Sequence, residues 1–230
     1  MALPTKNQDD IWRAALSEFF STLIFVFAAS GSAILVKNLS VDEPTASHAV
    51  AIANAFALSA AVSFGTNISS GHVNPAVTYA RFVGGKLTWL RCIIFWFAQI
   101  LGSVIACLLL KFISGGQRIP VFELSSGMEG KNTVMLDMTR TFGFMCGAYR
   151  IYSSSSRNVS KAMKLLIGLA VGVNYLWMRL SFDGVCMNPA ALFGPALVGW
   201  SWENHWVYWV GPLLGGGLAA CLNEMFERTV

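Results

Sequence analysis

Six apolar stretches, each about as long as a bilayer is thick, constrain this chain more than any other feature. They lie at 12–36, 49–68, 87–113, 133–152, 162–180 and 205–226. A helix needs about 20 mostly apolar residues to cross a hydrocarbon core of roughly 30 Å. Asp137, Arg140 and Arg150 interrupt the fourth stretch, and Arg179 closes the fifth. Only 12% of the 230 residues are charged, against about 25% in soluble domains. Mean hydropathy is +0.56. The expectation is an all-α membrane protein whose transmembrane helices share one bundle over 1–230.

Composition also removes several classes of function. A net charge of +4 without any Lys/Arg block fits scattered rim charges and argues against nucleic-acid binding. The five cysteines, Cys92, Cys107, Cys146, Cys186 and Cys221, have neither zinc-site spacing nor the look of a disulfide framework. No metal or cofactor is expected. The polar start, with Asp9 and Asp10 before a long first apolar run, argues against a cleavable leader. An even number of crossings puts both termini on one side. If that side is cytosolic, Lys6, Arg13, Arg81, Lys86, Arg91, Arg150, Arg157, Lys161, Lys164 and Arg228 share it. Lys37, Lys111, Arg118, Lys131 and Arg179 then face the other way, in keeping with the positive-inside rule.

A repeat organises the chain further. Ser70-Gly71-His72-Val73-Asn74-Pro75-Ala76-Val77 follows the second apolar stretch, and Gly184-Val185-Cys186-Met187-Asn188-Pro189-Ala190-Ala191 follows the fifth. The halves run from about 11 to 113 and from about 133 to 226. Each carries an acidic residue in its first helix, Glu18 or Asp137. With three helices per half, the second half must be inverted relative to the first. Inverted repeats with short Pro-interrupted segments point to a transport site near the bilayer midplane.

Asn caps helices, and Pro suits a first helical turn that needs no backbone N–H. Each Asn-Pro-Ala box therefore starts a short helix, over 75–83 and 189–197. Two such half-helices entering from opposite faces would meet N-terminus to N-terminus and complete one span. Their positive dipole ends would discourage cations at the waist. The Asn side chains would donate hydrogen bonds into the pore. Glu18 and Asp137 would accept backbone N–H groups of the loops, which lipid cannot satisfy.

With these boxes the sequence resembles the aquaporin, or major intrinsic protein, family over essentially its whole length. The plant tonoplast intrinsic proteins are the nearer likeness. The stretches Ala28-Ala29-Ser30-Gly31-Ser32, 67–77 and His205-Trp206-Val207-Tyr208-Trp209-Val210-Gly211-Pro212 carry it. The resemblance implies six transmembrane helices plus two half-helices and a homotetramer with a pore in each subunit. It also implies a plant vacuolar membrane and passive passage of water or small neutral solutes.

Carried over residue by residue, the resemblance puts the selectivity filter at Asn54, Leu176, Val185 and Ala191. Tyr175 competes with Leu176 because the stretch 174–182 is longer than the subfamily pattern. Phe122 becomes the outer-mouth candidate. Many relatives place Arg where this chain has Ala191, so the filter loses a charge and bulk. A wider, mostly aliphatic constriction follows, open to ammonia, urea, hydrogen peroxide or glycerol; Tyr175 or Trp177 could fill the vacated space instead.

Other residues have plainer readings. Arg140, one turn after Asp137, is expected to pair with it on the protein-facing side; the alternative is a damaged helix. His72 is expected to hold its loop, and Cys186 to pack. An enzyme built on Glu18, Asp137 and His72 would lack a nucleophile, a metal motif and a nucleotide loop. A poorly conducting structural or regulatory subunit of a hetero-oligomeric channel is the other alternative.

Overall fold

The computed structural model describes residues 8–39, 42–121, 129–153, 162, 165–170, 173 and 186–229. These include the helices α1 (Gln8–Asn38), α2 (Glu43–Gly65), α3 (Pro75–Val83), α4 (Trp89–Ile113), α5 (Gly130–Ser153), α6 (Pro189–Gly199) and α7 (Val207–Thr229). Residues 165–170 are helical as well, and no strand occurs among the described residues.

Helix starts follow capping rather than hydropathy. The apolar pattern puts the second helix at 49, but α2 begins at Glu43. There the Asp42 carboxylate accepts the Thr45 N–H at 3.1 Å, and Pro44 occupies the first turn. Thr88 caps α4 in the same way, accepting from the Arg91 N–H. The second half-helix, α6, runs to Gly199, beyond the expected 197. Trp200 in a left-handed conformation closes it, its N–H donating to the Ala196 carbonyl.

Three segments are long and apolar enough to cross a membrane by composition alone: Asp10–Asn38, Glu43–Gly65 and Trp89–Ile113. The arrangement of side chains extends that conclusion to the bundle. Large apolar groups such as Phe56, Phe97 and Phe112 stand on the outside, while Glu18, Gln99, Asp137 and Arg140 are buried. In water this would be a severe liability. In lipid it is the stable arrangement, because charged and polar groups must face the protein interior.

Within the first half α4 packs on α1, and within the second half α7 packs on α5. The half-helices cross over, α3 packing on α7 and α6 on α4, so each is held by the third helix of the other half. Glycines make the α1–α4 and α5–α7 contacts close. A Cβ on Gly102 would overlap the Phe19 carbonyl oxygen, one residue past Glu18. A Cβ on Gly215 would overlap the Met138 carbonyl oxygen, one residue past Asp137. The inverted repeat is thus legible in packing as well as in the boxes.

Candidate functional site

The site is built where α3 and α6 begin. Asn74 is extended (φ −150°, ψ 124°), and its Oδ1 accepts the Ala76 N–H at 2.8 Å. Asn188 repeats this at α6, accepting from Ala190 at 3.1 Å. Having spent their oxygens on capping, the two amides turn their nitrogens toward each other's loop. Asn74 Nδ2 donates to the Met187 carbonyl at 2.9 Å, and Asn188 Nδ2 donates to the Val73 carbonyl at 3.0 Å. Pro75, Ala76, Pro189 and Ala190 are all buried around this junction. The two half-helix N-termini therefore face each other through a reciprocal brace. The brace uses one hydrogen of each amide and leaves the second for another acceptor.

The loop before Asn74 is unusual backbone. Ser70, Gly71 and Val73 all have positive φ, at 86°, 63° and 59°. For a β-branched residue such as Val73 this conformation is costly and needs strong support. Support comes from both sides of the residue: its N–H donates to Glu18 Oε2 at 2.8 Å, and its carbonyl accepts from Asn188. Glu18 is fully buried on α1. It also accepts from the Ser69 hydroxyl at 2.6 Å, the His72 N–H at 2.9 Å and Gln99 Nε2 at 2.8 Å.

Behind that carboxylate, Gln99 Nε2 also donates to Thr78 Oγ1 at 2.9 Å, and the hydroxyl in turn donates to the Asn74 carbonyl at 3.1 Å. With its hydrogen committed, Thr78 Oγ1 accepts from His72 Nδ1 at 3.1 Å. That assignment puts the imidazole proton on Nδ1. Asp137 is likewise fully buried, with the Arg140 guanidinium and the Cys186 backbone as its electrostatic neighbours. Arg140 itself is only 5% exposed. Cys186 is buried, its Sγ against the Asn188 carbonyl at 3.6 Å.

Of the filter residues, Asn54 and Ala191 are described, and both line one cavity of about 420 Å³. Val26, Val50 and Pro195 supply its aliphatic wall, with Lys37 and Glu43 also in the lining. Asn54 Nδ2 donates to the Val50 carbonyl at 2.8 Å, an orientation fixed by chemistry because a carbonyl can only accept. Its Oδ1 is buried and has no protein partner. Leu176, its competitor Tyr175, Val185 and Phe122 lie outside the described residues.

Basic side chains close the outer ends of the half-helices, where the dipoles are negative. Lys111 Nζ reaches the Val198 carbonyl at 3.4 Å. Arg81, in the last turn of α3, stacks over the Tyr149 ring at 5.7 Å, and the Tyr149 hydroxyl donates to Glu224 Oε1 at 2.9 Å. Lys86 bridges Glu224 and Glu227, both at 3.0 Å. Neither the cross-box brace nor this strap between α3 and α7 was foreseeable from local sequence, because their partners lie far apart along the chain.

At the opposite end, Trp209 Nε1 donates to His205 Nε2 at 3.2 Å, which requires a neutral imidazole. Burial holds the His205 pKa below the ordinary 6.5. A depressed folded pKa means the contribution is complete above 6.5 and fades as pH falls through the folded value. Acidification should therefore lower stability by up to the worth of one hydrogen bond, about 1 kcal/mol, and the thermal midpoint with it. His205→Phe should flatten that slope in melts across pH 7.5 to 4.5, and an unchanged slope would rule this residue out.

The sequence profile of the Major intrinsic protein family matches residues 5–223. Aquaporin TIP1-1 of Arabidopsis thaliana is 47% identical over 227 residues, covering 96% of this chain and 89% of the relative. Aquaporin TIP1-2 of Musa acuminata is 47% identical over 225 residues, covering 95% and 88%. Among solved structures, the aquaglyceroporin from Plasmodium falciparum superposes with a TM-score of 0.78 at 16% identity, covering 95% of this chain and 98% of that one. The fold is that of an integral-membrane channel and not of an enzyme. The chain belongs to the major intrinsic protein family.

Proposed function

We propose that the chain conducts water and small neutral solutes passively, through the cavity beside Asn54 and Ala191 and then past Asn74 and Asn188. The reciprocal bonding of the two boxes carries this reading. It holds two positive helix ends against each other, a barrier to cations and protons. It also leaves an amide hydrogen on each Asn to replace part of a solute's hydration. Glu18 anchors the first loop through four accepted hydrogen bonds; Asp137 is its counterpart beside Arg140 and the Cys186 backbone, with neither carboxylate oxygen in a hydrogen bond of ordinary geometry. By likeness to the plant relatives named aquaporin TIP1-1 and aquaporin TIP1-2, the chain works as a homotetramer in a plant vacuolar membrane with both termini cytosolic.

The outer constriction sets which solutes pass. Ala191 offers neither charge nor bulk, so beside it the described wall is aliphatic, with Ser30, Lys37, Glu43 and Asn54 as the polar groups of the cavity. The unpartnered Asn54 Oδ1 is an acceptor, and leaving a buried acceptor unpaired is costly. A solute carrying N–H or O–H groups relieves that cost as it passes. Urea, glycerol, ammonia and hydrogen peroxide all qualify. Leu176 or Tyr175, with Val185 and the outer-mouth candidate Phe122, complete the ring in this proposal.

Stopped-flow measurements on proteoliposomes with water, glycerol, urea and ammonia test both levels. Flux of water together with at least one of the other solutes is the expected result. Water alone would refute the wide constriction. A flat response to all four would favour a poorly conducting subunit, the alternative that the buried Arg140 keeps open. Asn54→Leu keeps the side-chain size and removes the acceptor, so the urea-to-water permeability ratio should fall about two- to tenfold, one hydrogen bond's worth. An unchanged ratio would take Asn54 out of the filter.

A further inference from the structure

The two halves of the chain match position by position around their boxes and their buried acids. Gly102 packs on the Phe19 carbonyl, one residue past Glu18, as Gly215 packs on that of Met138, one past Asp137. Thr22 and Thr141, each four residues past the acid, are both buried. The same register relates the two ends of the path. Pro195 and Ser30 both line the cavity beside Asn54. Pro195 stands seven residues past Asn188, and Ser30 twelve past Glu18. Seven past Asn74 is Arg81, and twelve past Asp137 is Tyr149. Where one end of the path has a proline and a serine, the other has an arginine and a tyrosine.

Neither large side chain is loose. Tyr149 is fully buried and Arg81 is 9% exposed. The Arg81 guanidinium lies over the Tyr149 ring, 5.7 Å from its centre, an attraction that replaces part of its hydration. The Tyr149 hydroxyl donates to Glu224, which Lys86 holds in turn. Gly84 makes room for that hydroxyl, because a Cβ there would overlap it. Toward the boxes, Arg81 is a charged neighbour of His72, two residues before Asn74. A permanently charged group rich in N–H donors thus stands between the first box and the end of the path. That is the chemistry Ala191 does not supply at the cavity end. Water can hydrogen-bond to the guanidinium and pass beside it, whereas a solute as broad as glycerol must push it aside.

We infer that Arg81 and Tyr149 form a second constriction, at the end of the path where α3 and α7 end, and that Arg81 is the residue there that holds back bulkier solutes. The inference rests on the conduction reading above. It divides solute selection between two places, hydrogen bonding beside Asn54 and width at Arg81.

Swelling rates of proteoliposomes, for water and for glycerol, are measured on wild type, Arg81→Ala and Tyr149→Leu, alongside thermal melts. Arg81→Ala should raise the glycerol-to-water permeability ratio about fivefold or more, in the range that relief of overpacking gives. Tyr149→Leu shortens the opposite side of the same constriction and should move the ratio in the same direction. It carries the test if Arg81→Ala does not fold. A merely structural strap between α3, α5 and α7 predicts a different result: the melting point drops and both permeabilities fall together. Water flux through a folded variant with an unchanged or lower ratio therefore overturns the constriction and leaves the conduction reading standing. No flux of either solute, through wild type or variants, overturns the conduction reading itself and this inference with it.

Discussion

Replacing Glu18 with Ala should leave almost no folded protein in the membrane. The carboxylate accepts four hydrogen bonds, from Ser69, His72, Val73 and Gln99. Two of those donors are backbone N–H groups inside a membrane bundle, where no lipid can take over. Each buried donor left unpaired costs about 1–3 kcal/mol, so the sum is on the order of 5 kcal/mol or more. That equals the whole stability of many proteins. The strained conformation of Val73 would lose one of its two supports at the same time. Glu18→Gln should fall between: it keeps one acceptor oxygen but presents an N–H to a donor. Thermal melts followed by fluorescence-detected size exclusion order the three proteins as wild type, Glu18→Gln, Glu18→Ala. If Glu18→Ala accumulates normally and melts within a few degrees of wild type, the carboxylate is not the anchor of this loop.

How much of this could be read in the chain alone follows from the range of the forces involved. Helix α3 occupies Pro75–Val83, the span expected from Asn-Pro capping, because capping is decided by neighbours in sequence. Hydropathy placed the long helices but misjudged their starts, since Asp42 and Thr88 fix those starts through single hydrogen bonds that carry no hydropathy signal. The waist was expected to turn its Asn amides into the pore. In the structure one hydrogen of each is spent on the opposite loop, a contact between residues 113 and 115 positions apart. The positive φ of Val73 had no local signature, since a β-branched residue is the last choice for that conformation. It exists because Glu18 and Asn188, from a helix and a loop elsewhere in the chain, hold it from both sides. The pairing of Gly102 with Phe19 and of Gly215 with Met138 appears only once the halves are packed.

That pairing yields the sharpest contrast among single substitutions. Gly215→Ala adds one methyl group and should destabilise the protein by about 3 kcal/mol, the upper range for overpacking. The added Cβ would overlap the Met138 carbonyl and lie 2.9 Å from the Phe142 N. Both are backbone atoms, so no side chain can swing aside, and α7 must lift off α5. The next residue, Gly216, sits where a Cβ would be 3.0 Å from the Ala76 carbonyl, inside the first box. Lifting α7 therefore disturbs the seat of α3, and water flux should fall together with stability. Gly102→Ala should reproduce both effects from the other half, through the Phe19 carbonyl. Gly147→Ala on the exposed face of α5 should do the opposite: a Cβ there meets nothing within 4 Å, so the ordinary helix preference for Ala over Gly, about 0.5–1 kcal/mol, is gained. Melting curves and swelling rates on the three variants decide the matter. Equal tolerance of Ala at 102, 147 and 215 would mean that close helix crossing is not what seats the half-helices.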